Sequence, residues 1–531
     1  MNSQKNYQTT IKIFIFFIFA LFFFDLGNVN ALRQGTEGFY LLITQEMYEA
    51  KSFLTPLIYG KPHWSKPPLQ FWLPQPLYWL FQGNYLQMGR LSILIFSLIA
   101  SLWVSFWYER ELKRNWYECF SFLLIPIYFI KYSRIFMMEM TLTYLTTLGC
   151  LYFYSFLRKQ KSSDLFLCSL FAGLSVLIKG PVSLAMIFPG TFLFSILRER
   201  KIKPFILFSL FATLIGSSWF IASYLEHGYA FIEYFFIREN LGKFTARNYP
   251  ITSVIQGLII FTLPINFLIP FIWKGRKKLN FNQDIIFYLV LNFCFFYFLW
   301  FLPKQKSHHY AVPAIPLFLI LISYFFFQLP VHIKKAGLKF LINIESFFVS
   351  FGMLLVALLF YFRESLNFME SNQYLSGCFF VTAIFFYTKR FKDKKLQLFR
   401  LILPLILFWQ FILPMGILPV VPDTAYQFIQ SHKENRIFVD YRKPFFIEES
   451  ISRDIELIKN HTIKESSIQK GDLLYTSLFH FNNYKKSGTY KELHRWRVWI
   501  RGSDSKEIFE AIKNQDLRSL QEEYILVERL D

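Results

Sequence analysis

Apolar residues run along most of this chain in blocks long enough to cross a bilayer, and short polar segments interrupt them. At roughly 20 residues per crossing, the blocks predict about thirteen helices. Their cores fall near 11–27, 91–108, 117–131, 136–157, 165–178, 181–197, 204–224, 251–273, 285–302, 310–327, 340–361, 375–388 and 399–420. One set of alternate connections is short and densely basic: ERELKRN, RKQKSSD, RERKIK, KGRKK, IKK and KRFKDKK. The positive-inside rule makes these cytoplasmic. The other set holds residues 28–90, KYSR, Lys179-Gly180-Pro181, 225–250, PKQKSHH and 362–374, and it faces outward. The pattern changes after Pro422. RIFVDY, GDLLYTSLF and EEYILVER alternate like strands, while SKEIFEAIKN has helical spacing with Ser503 or Ser505 as N-cap. The expected architecture is an all-α polytopic membrane domain over 1–420 and a small α/β domain over 421–531. A cytoplasmic start and thirteen crossings place that domain on the outward, periplasmic side of the membrane.

Composition agrees with the pattern. Of 531 residues, 54% are hydrophobic, 68 are Phe, and mean hydropathy is +0.32, above a soluble globular chain. The net charge of +21 resides in the short loops as topology signals, and no folded basic domain exists to bind nucleic acid. Cys119, Cys150, Cys168, Cys294 and Cys378 all lie in apolar runs, where cysteine behaves as a small hydrophobe, and no disulfide framework is implied. Residues 11–24 resemble a signal-peptide core with a passable cleavage site at Val29-Asn30-Ala31. An uncleaved first span is favoured, because cleavage would remove the anchor of the loop that follows.

That loop, Arg33 to Trp72, is too polar to cross a membrane and too aromatic to leave its surface. It forms part of a first outward segment, residues 28–90. Charges on the outward side collect at helix ends: Arg90, Arg134, Glu139, Lys179, Lys304 and Lys306. Each alone reads equally well as snorkelling to the interface. Converging on one face, they suit a phosphate carried by a lipid, held by charge-assisted hydrogen bonds. A carboxylate beside it would take a proton from an acceptor hydroxyl. Glu37 is the first candidate and Glu139 the second; Glu37 reads alternatively as the N-terminal charge of an interfacial helix beginning near Gly35. His308 and His309 are adjacent, so their rings diverge and do not make a metal pair. Tyr40, Trp64, Trp72 and Trp79 suit sugar stacking or the interfacial belt. No internal repeat marks a transporter.

Four motifs, GTEGFYLLITQEM, YGKPHWSKPPLQFW, VLIKGPV and KQKSHHYAVPAIP, resemble in order and spacing the bacterial GT-C glycosyltransferases. The likeness is to the branch of the lipid A aminoarabinose transferase and protein O-mannosyltransferase relatives, over residues 11 to 330. It implies transfer of a sugar from a polyprenyl-phosphate donor to a lipid, glycan or protein acceptor on the outer face of the bacterial inner membrane. It also implies amphipathic helices in the first loop, covering the active site. Lys66, Lys179 and Lys306 are then contacts of the donor phosphate, joined by Arg90 and Arg134, while Tyr40 and Tyr310 are candidate substrate contacts. The sequence departs from the family where Thr36 replaces the usual Asp of the first motif, where Ser65 replaces a Glu, and where Asn240 and Asn248 replace histidines. The transferase's metal site does not carry over. No cofactor is expected, although loop acids leave room for a divalent cation beside the phosphate. The remaining alternatives are a flippase of lipid-linked glycans and a non-catalytic membrane scaffold.

Overall fold

A computed structural model describes residues 19–29, 36–241 and 250–361 without 282 and 305. In the C-terminal region it describes 423–432, 434–440, 456–457, 468–486, 488–499 and 520–531, with a few single positions between. Among the described residues, six helices are long and apolar enough to cross a membrane: Tyr85–Leu112, Ser162–Lys179, Lys203–His227, Asp284–Phe301, His308–Gln328 and Val331–Ala357. The protein is a multi-pass membrane protein. Val182–Leu197 is a shorter apolar helix.

Among the described residues, not every apolar run forms one continuous span. Two predicted helices are broken at prolines, which lack the N–H that would continue the ladder. The core at 117–131 divides at Pro126 into Trp116–Leu124 and Ile127–Tyr132. The core at 251–273 divides before Ile265, and its limbs, Thr252–Phe261 and Ile265–Lys278, meet at 79°. The core at 136–157 forms the helix Met138–Lys159, which is buried on almost every side and carries Thr141, Thr143, Thr146 and Thr147 inward. A helix wrapped by other helices needs no lipid-facing apolar surface, so its hydropathy understates its depth. The cores at 375–388 and 399–420, and the SKEIFEAIKN helix, lie outside the described residues apart from single positions.

Local signals set the boundaries that matter. Asn84 caps Tyr85–Leu112 by accepting a hydrogen bond from the Gln87 N–H at 3.1 Å, and Lys113 closes the same helix in the left-handed region at φ 56°. The first outward loop folds as the helix Glu37–Glu49, a hairpin of strands β1 (Leu57–Ile58) and β2 (Lys61–Pro62), and the short helices Leu69–Trp72 and Gln75–Phe81. Trp79 on the last of these is 72% exposed, which suits the interfacial belt rather than a binding pocket.

Contacts divide the chain into two units, one spanning Tyr40–Ala357 with the first helix, the other carrying the C-terminal sheet together with residues 28–39. The sheet contains β3 (Ile437–Asp440), β4 (Glu456–Leu457), β5 (Leu473–Ser477), β6 (Tyr490–Trp499) and β7 (Gln521–Arg529), in the spatial order β4-β3-β5-β7-β6. β3 lies parallel to β4 and β5, whereas β7 lies antiparallel to β5 and β6. Three of these strands are the segments that alternate in the sequence. Phe438, Leu474, Ile525 and Val527 pack with Phe481 and Tyr484 as the core of this domain.

Candidate active site

The motif Ile178-Lys179-Gly180-Pro181-Val182 builds the first half of the site. Gly180 ends the helix Ser162–Lys179 at φ +82°, a conformation that disfavours any side chain, and Pro181 caps the next helix. Lys179 is thereby held in the last turn of one helix instead of trailing in a loop. A Cβ on Gly180 would meet the Phe235 ring at 3.0 Å, so the turn is also roofed closely.

The second half comes from the segment after the helix Asp284–Phe298. The 3-10 turn His308–Ala314 presents His309 and Tyr310. Lys179 Nζ lies 5.1 Å from the centroid of the Trp300 ring and 5.1 Å from that of Tyr310, and the two rings stand 4.7 Å apart. A cation over two aromatic faces is stabilised by the negative faces of both rings. His309 packs edge-on against Tyr310 at 4.8 Å, and its Nε2 is 3.6 Å from Glu139 Oε1. Its Nδ1 is 2.8 Å from Ser307 Oγ. Glu139 stands in the first turn of Met138–Lys159, where a helix N-terminus favours negative charge. It is buried, and its Oε2 is without a hydrogen-bond partner among the described residues. Lys131 approaches from the same side, over the rings of Tyr132 and Phe261 at 5.0 and 5.3 Å. Residues scattered from 131 to 310 therefore meet as cations, aromatic faces and one carboxylate.

A second layer joins the first loop to the π-helical segment Glu233–Leu241. Trp219 Nε1 donates to the Leu54 carbonyl at 2.8 Å, and Thr55 Oγ1 lies 2.7 Å from His227 Nε2. Trp64 packs on His227 at 4.9 Å and on Phe231 and Tyr234. His63 Nδ1 is 3.2 Å from the Tyr234 hydroxyl. Burial holds His63 down to about 4; Glu239 pulls its pKa up and Lys66 pushes it further down. Lys66 Nζ lies 3.9 Å from Glu239 Oε2. This layer fixes SKPPL against an anionic partner.

The remaining predicted residues take other places. Arg90 donates through Nη1 to the Leu26 carbonyl at 3.0 Å, and Arg134 through Nη2 to the Phe24 carbonyl at 2.9 Å. Both satisfy the carbonyls where the first helix ends, which gives them a structural task. Arg134 Nε and Nη1 are buried without a hydrogen-bond partner among the described residues. Tyr40 is buried with its ring 5.9 Å from Phe71, in packing rather than in the Lys179 cluster. Lys306 is half-buried, just before the 3-10 turn. Glu37 opens the helix Glu37–Glu49 and is fully buried. Gln70 ties the loop to Met138–Lys159, donating to the Met137 carbonyl at 3.2 Å and accepting from Thr141 Oγ1 at 2.6 Å. His308 bonds Gln256 at 3.1 Å and His309 faces Glu139, so the adjacent rings do diverge. Among the described residues, no group of three or more His, Cys, Asp and Glu gathers at metal-holding distance; Asn248 lies outside them. Trp300, Lys131 and Glu239 were not singled out in the sequence, and His309 was weighed there only as half of a metal pair. The HHY triplet and KYSR were in view, but no spacing pairs Lys66 with Glu239.

Comparison with known proteins gives this cluster its setting. The family model described as dolichyl-phosphate-mannose-protein mannosyltransferase matches residues 65–222, which include Lys66, Arg90, Arg134, Glu139 and Lys179. The crystal structure of ArnT from Cupriavidus metallidurans bound to undecaprenyl phosphate superposes with a TM-score of 0.69, covering 98% of both chains at 14% identity. The chain resembles the GT-C-type glycosyltransferases of the aminoarabinose transferase kind. An undecaprenyl phosphate-alpha-4-amino-4-deoxy-L-arabinose arabinosyl transferase of Wigglesworthia glossinidia brevipalpis is 24% identical over 64% of this chain and 62% of its own length. The chain thus spans under two thirds of that relative. A protein of Aquifex aeolicus (strain VF5) is 26% identical over 66% of this chain and 69% of its own.

Proposed function

We propose that this glycosyltransferase moves a sugar from a polyprenyl-phosphate donor of the undecaprenyl type to a lipid, glycan or protein acceptor on the periplasmic face of the bacterial inner membrane. The observation that carries the reading is Lys179 held over Trp300 and Tyr310 beside the His309–Glu139 pair. The undecaprenyl phosphate bound to the similarly folded ArnT supports the donor class. The basic loops assigned to the cytoplasm support the facing.

In this reading the acceptor oxygen attacks the anomeric carbon as the bond from that carbon to the phosphate oxygen breaks. The electron pair leaves on the polyprenyl phosphate, whose growing charge needs cations and no acid. Lys179 and Lys66 supply them, with Lys306, Arg90 and Arg134 as further donor contacts. An acceptor hydroxyl gives up its proton to a carboxylate, Glu37 or Glu139, while an acceptor that is already a phosphate gives up none. Tyr310 contacts the sugar. Thr36, in place of the usual Asp, favours the acceptor that needs no base. Where that holds, Glu37→Gln retains transfer.

The test is transfer of label from a radiolabelled polyprenyl-phosphate sugar pool into membrane lipid and protein fractions, for wild type, Lys66→Ala and Glu37→Gln. Label entering one fraction and lost with Lys66→Ala supports the reading and identifies the acceptor class. No transfer to any fraction, with the donor still bound, refutes it in favour of a flippase or a scaffold.

A further inference from the structure

At the other end of the bent helix pair the chain carries a feature the transfer reaction does not use. The limb Ile265–Lys278 ends in Lys274, Arg276, Lys277 and Lys278, all exposed. Ile269, Ile272, Trp273 and Arg276 on this limb, with Phe281 beyond it, line a cleft of about 460 Å³. Its walls are almost wholly apolar, and none of the five residues is acidic. The Arg276 guanidinium lies 4.2 Å from the Trp273 ring centroid and donates through Nη1 to the Trp273 carbonyl at 3.0 Å. Phe281 packs on Phe325 at 4.6 Å, which fixes the far wall. A Cβ on Gly275 would meet Leu329 Cδ2 at 2.3 Å, so the limb is pressed against the neighbouring helix and the basic run has a set register.

We propose that this cleft holds an acyl chain of an anionic phospholipid, whose phosphate rests on Arg276 and the adjoining lysines. A wall with almost no exposed donor or acceptor suits a hydrocarbon chain and offers a peptide backbone little to pair with. The mouth is cationic, complementary to an anionic head group and indifferent to a zwitterionic one. An arginine that only snorkelled would range freely. This one is held by an aromatic face and a backbone carbonyl while its remaining donors stay available to a phosphate. The positive-inside reading sets the site at the cytoplasmic leaflet, away from the Lys179 cluster.

Native mass spectrometry of the full-length protein in detergent tests this with phosphatidylglycerol and phosphatidylcholine of identical acyl chains. Wild type should retain phosphatidylglycerol at least fivefold over phosphatidylcholine. The Trp273→Ala/Arg276→Gln variant should lose that preference while its melting temperature and sugar transfer stay unchanged. Ile269→Trp fills the cleft and leaves the basic run intact, and it should lower retention of both lipids. Equal retention of the two lipids by wild type, or undiminished phosphatidylglycerol on the double variant, overturns the proposal. Full retention by Ile269→Trp, or complete displacement by millimolar inorganic phosphate, overturns the acyl-chain part by reducing the site to a bare anion patch.

Discussion

Gly257 offers a sharp perturbation of the site from a residue that touches none of its chemistry. It lies in Thr252–Phe261, and a Cβ placed on it would stand 2.1 Å from the His308 carbonyl oxygen, with the His308 carbonyl carbon at 2.9 Å. Ordinary contact begins near 3.4 Å, so the shortfall is about 1.3 Å, and the obstacle is backbone that no rotamer change can clear. Gly257→Ala must push the helix and the 3-10 turn His308–Ala314 apart, carrying His309 and Tyr310 away from Glu139 and Lys179. Overpacking of this kind costs about 1–3 kcal/mol of stability. A displacement of about 1 Å at a reacting centre costs about 100-fold in rate. The expected result is a monodisperse protein with a modestly lowered melting temperature and transfer reduced by about two orders of magnitude. Gly352→Ala is the control: nothing lies within 4 Å of its Cβ, and as a helix-interior exchange it should be neutral or slightly stabilising. Wild-type transfer by a folded Gly257→Ala enzyme would refute the placement of this turn in the site.

Three further outcomes follow from contacts described above. Glu239→Gln releases Lys66 from its half-buried partner and should raise donor affinity by up to about fivefold, the worth of such a pair; a fall in affinity would mean that Glu239 positions Lys66 instead. His63 is held at about 4, below its ordinary 6.5, so the docked loop favours the neutral ring. As pH falls from about 6.5 towards 4 the undocked loop binds a proton that the docked loop does not, and docking weakens. Trp64 fluorescence should report this, and an unchanged pH profile in His63→Gln would count against it. In the C-terminal domain, Tyr484→Phe deletes a 2.6 Å hydrogen bond to buried Asp440 and should cost that domain about 1.5–3 kcal/mol in chemical denaturation, with transfer unaffected; an unshifted midpoint would show the bond to be dispensable.

The apolar runs made the membrane domain legible, because burial in lipid imposes a composition that single residues cannot disguise. Strands β3, β5 and β7 were legible from the alternation in their segments, although each carries a continuous buried stretch in the structure. β6 was not singled out: YKELHRWRVW is crowded with charge, and pairing with β7 holds it in place. Pro126 and Pro264 were in plain view, but the hydrophobicity around them masked the breaks. At the site, Lys179 could be read from its Gly-Pro turn and Tyr310 from its motif. Their meeting over Trp300 depends on tertiary packing between segments far apart in sequence, as does the approach of Glu239 to Lys66. For Arg90 and Arg134, charge at a helix end suggested a phosphate contact; that Arg90 also holds the Leu26 carbonyl and Arg134 the Phe24 carbonyl is visible only in the structure.

Lys179, cradled by Trp300 and Tyr310, is the residue proposed to receive the donor phosphate. The direct measurement is equilibrium binding of a polyprenyl phosphate to wild type and Lys179→Gln in detergent, with the melting temperature of each recorded alongside. A charge-assisted contact is worth roughly 1.5–3 kcal/mol, so affinity should fall by tenfold or more while the fold survives. Equal affinity in a folded Lys179→Gln protein would contradict the account.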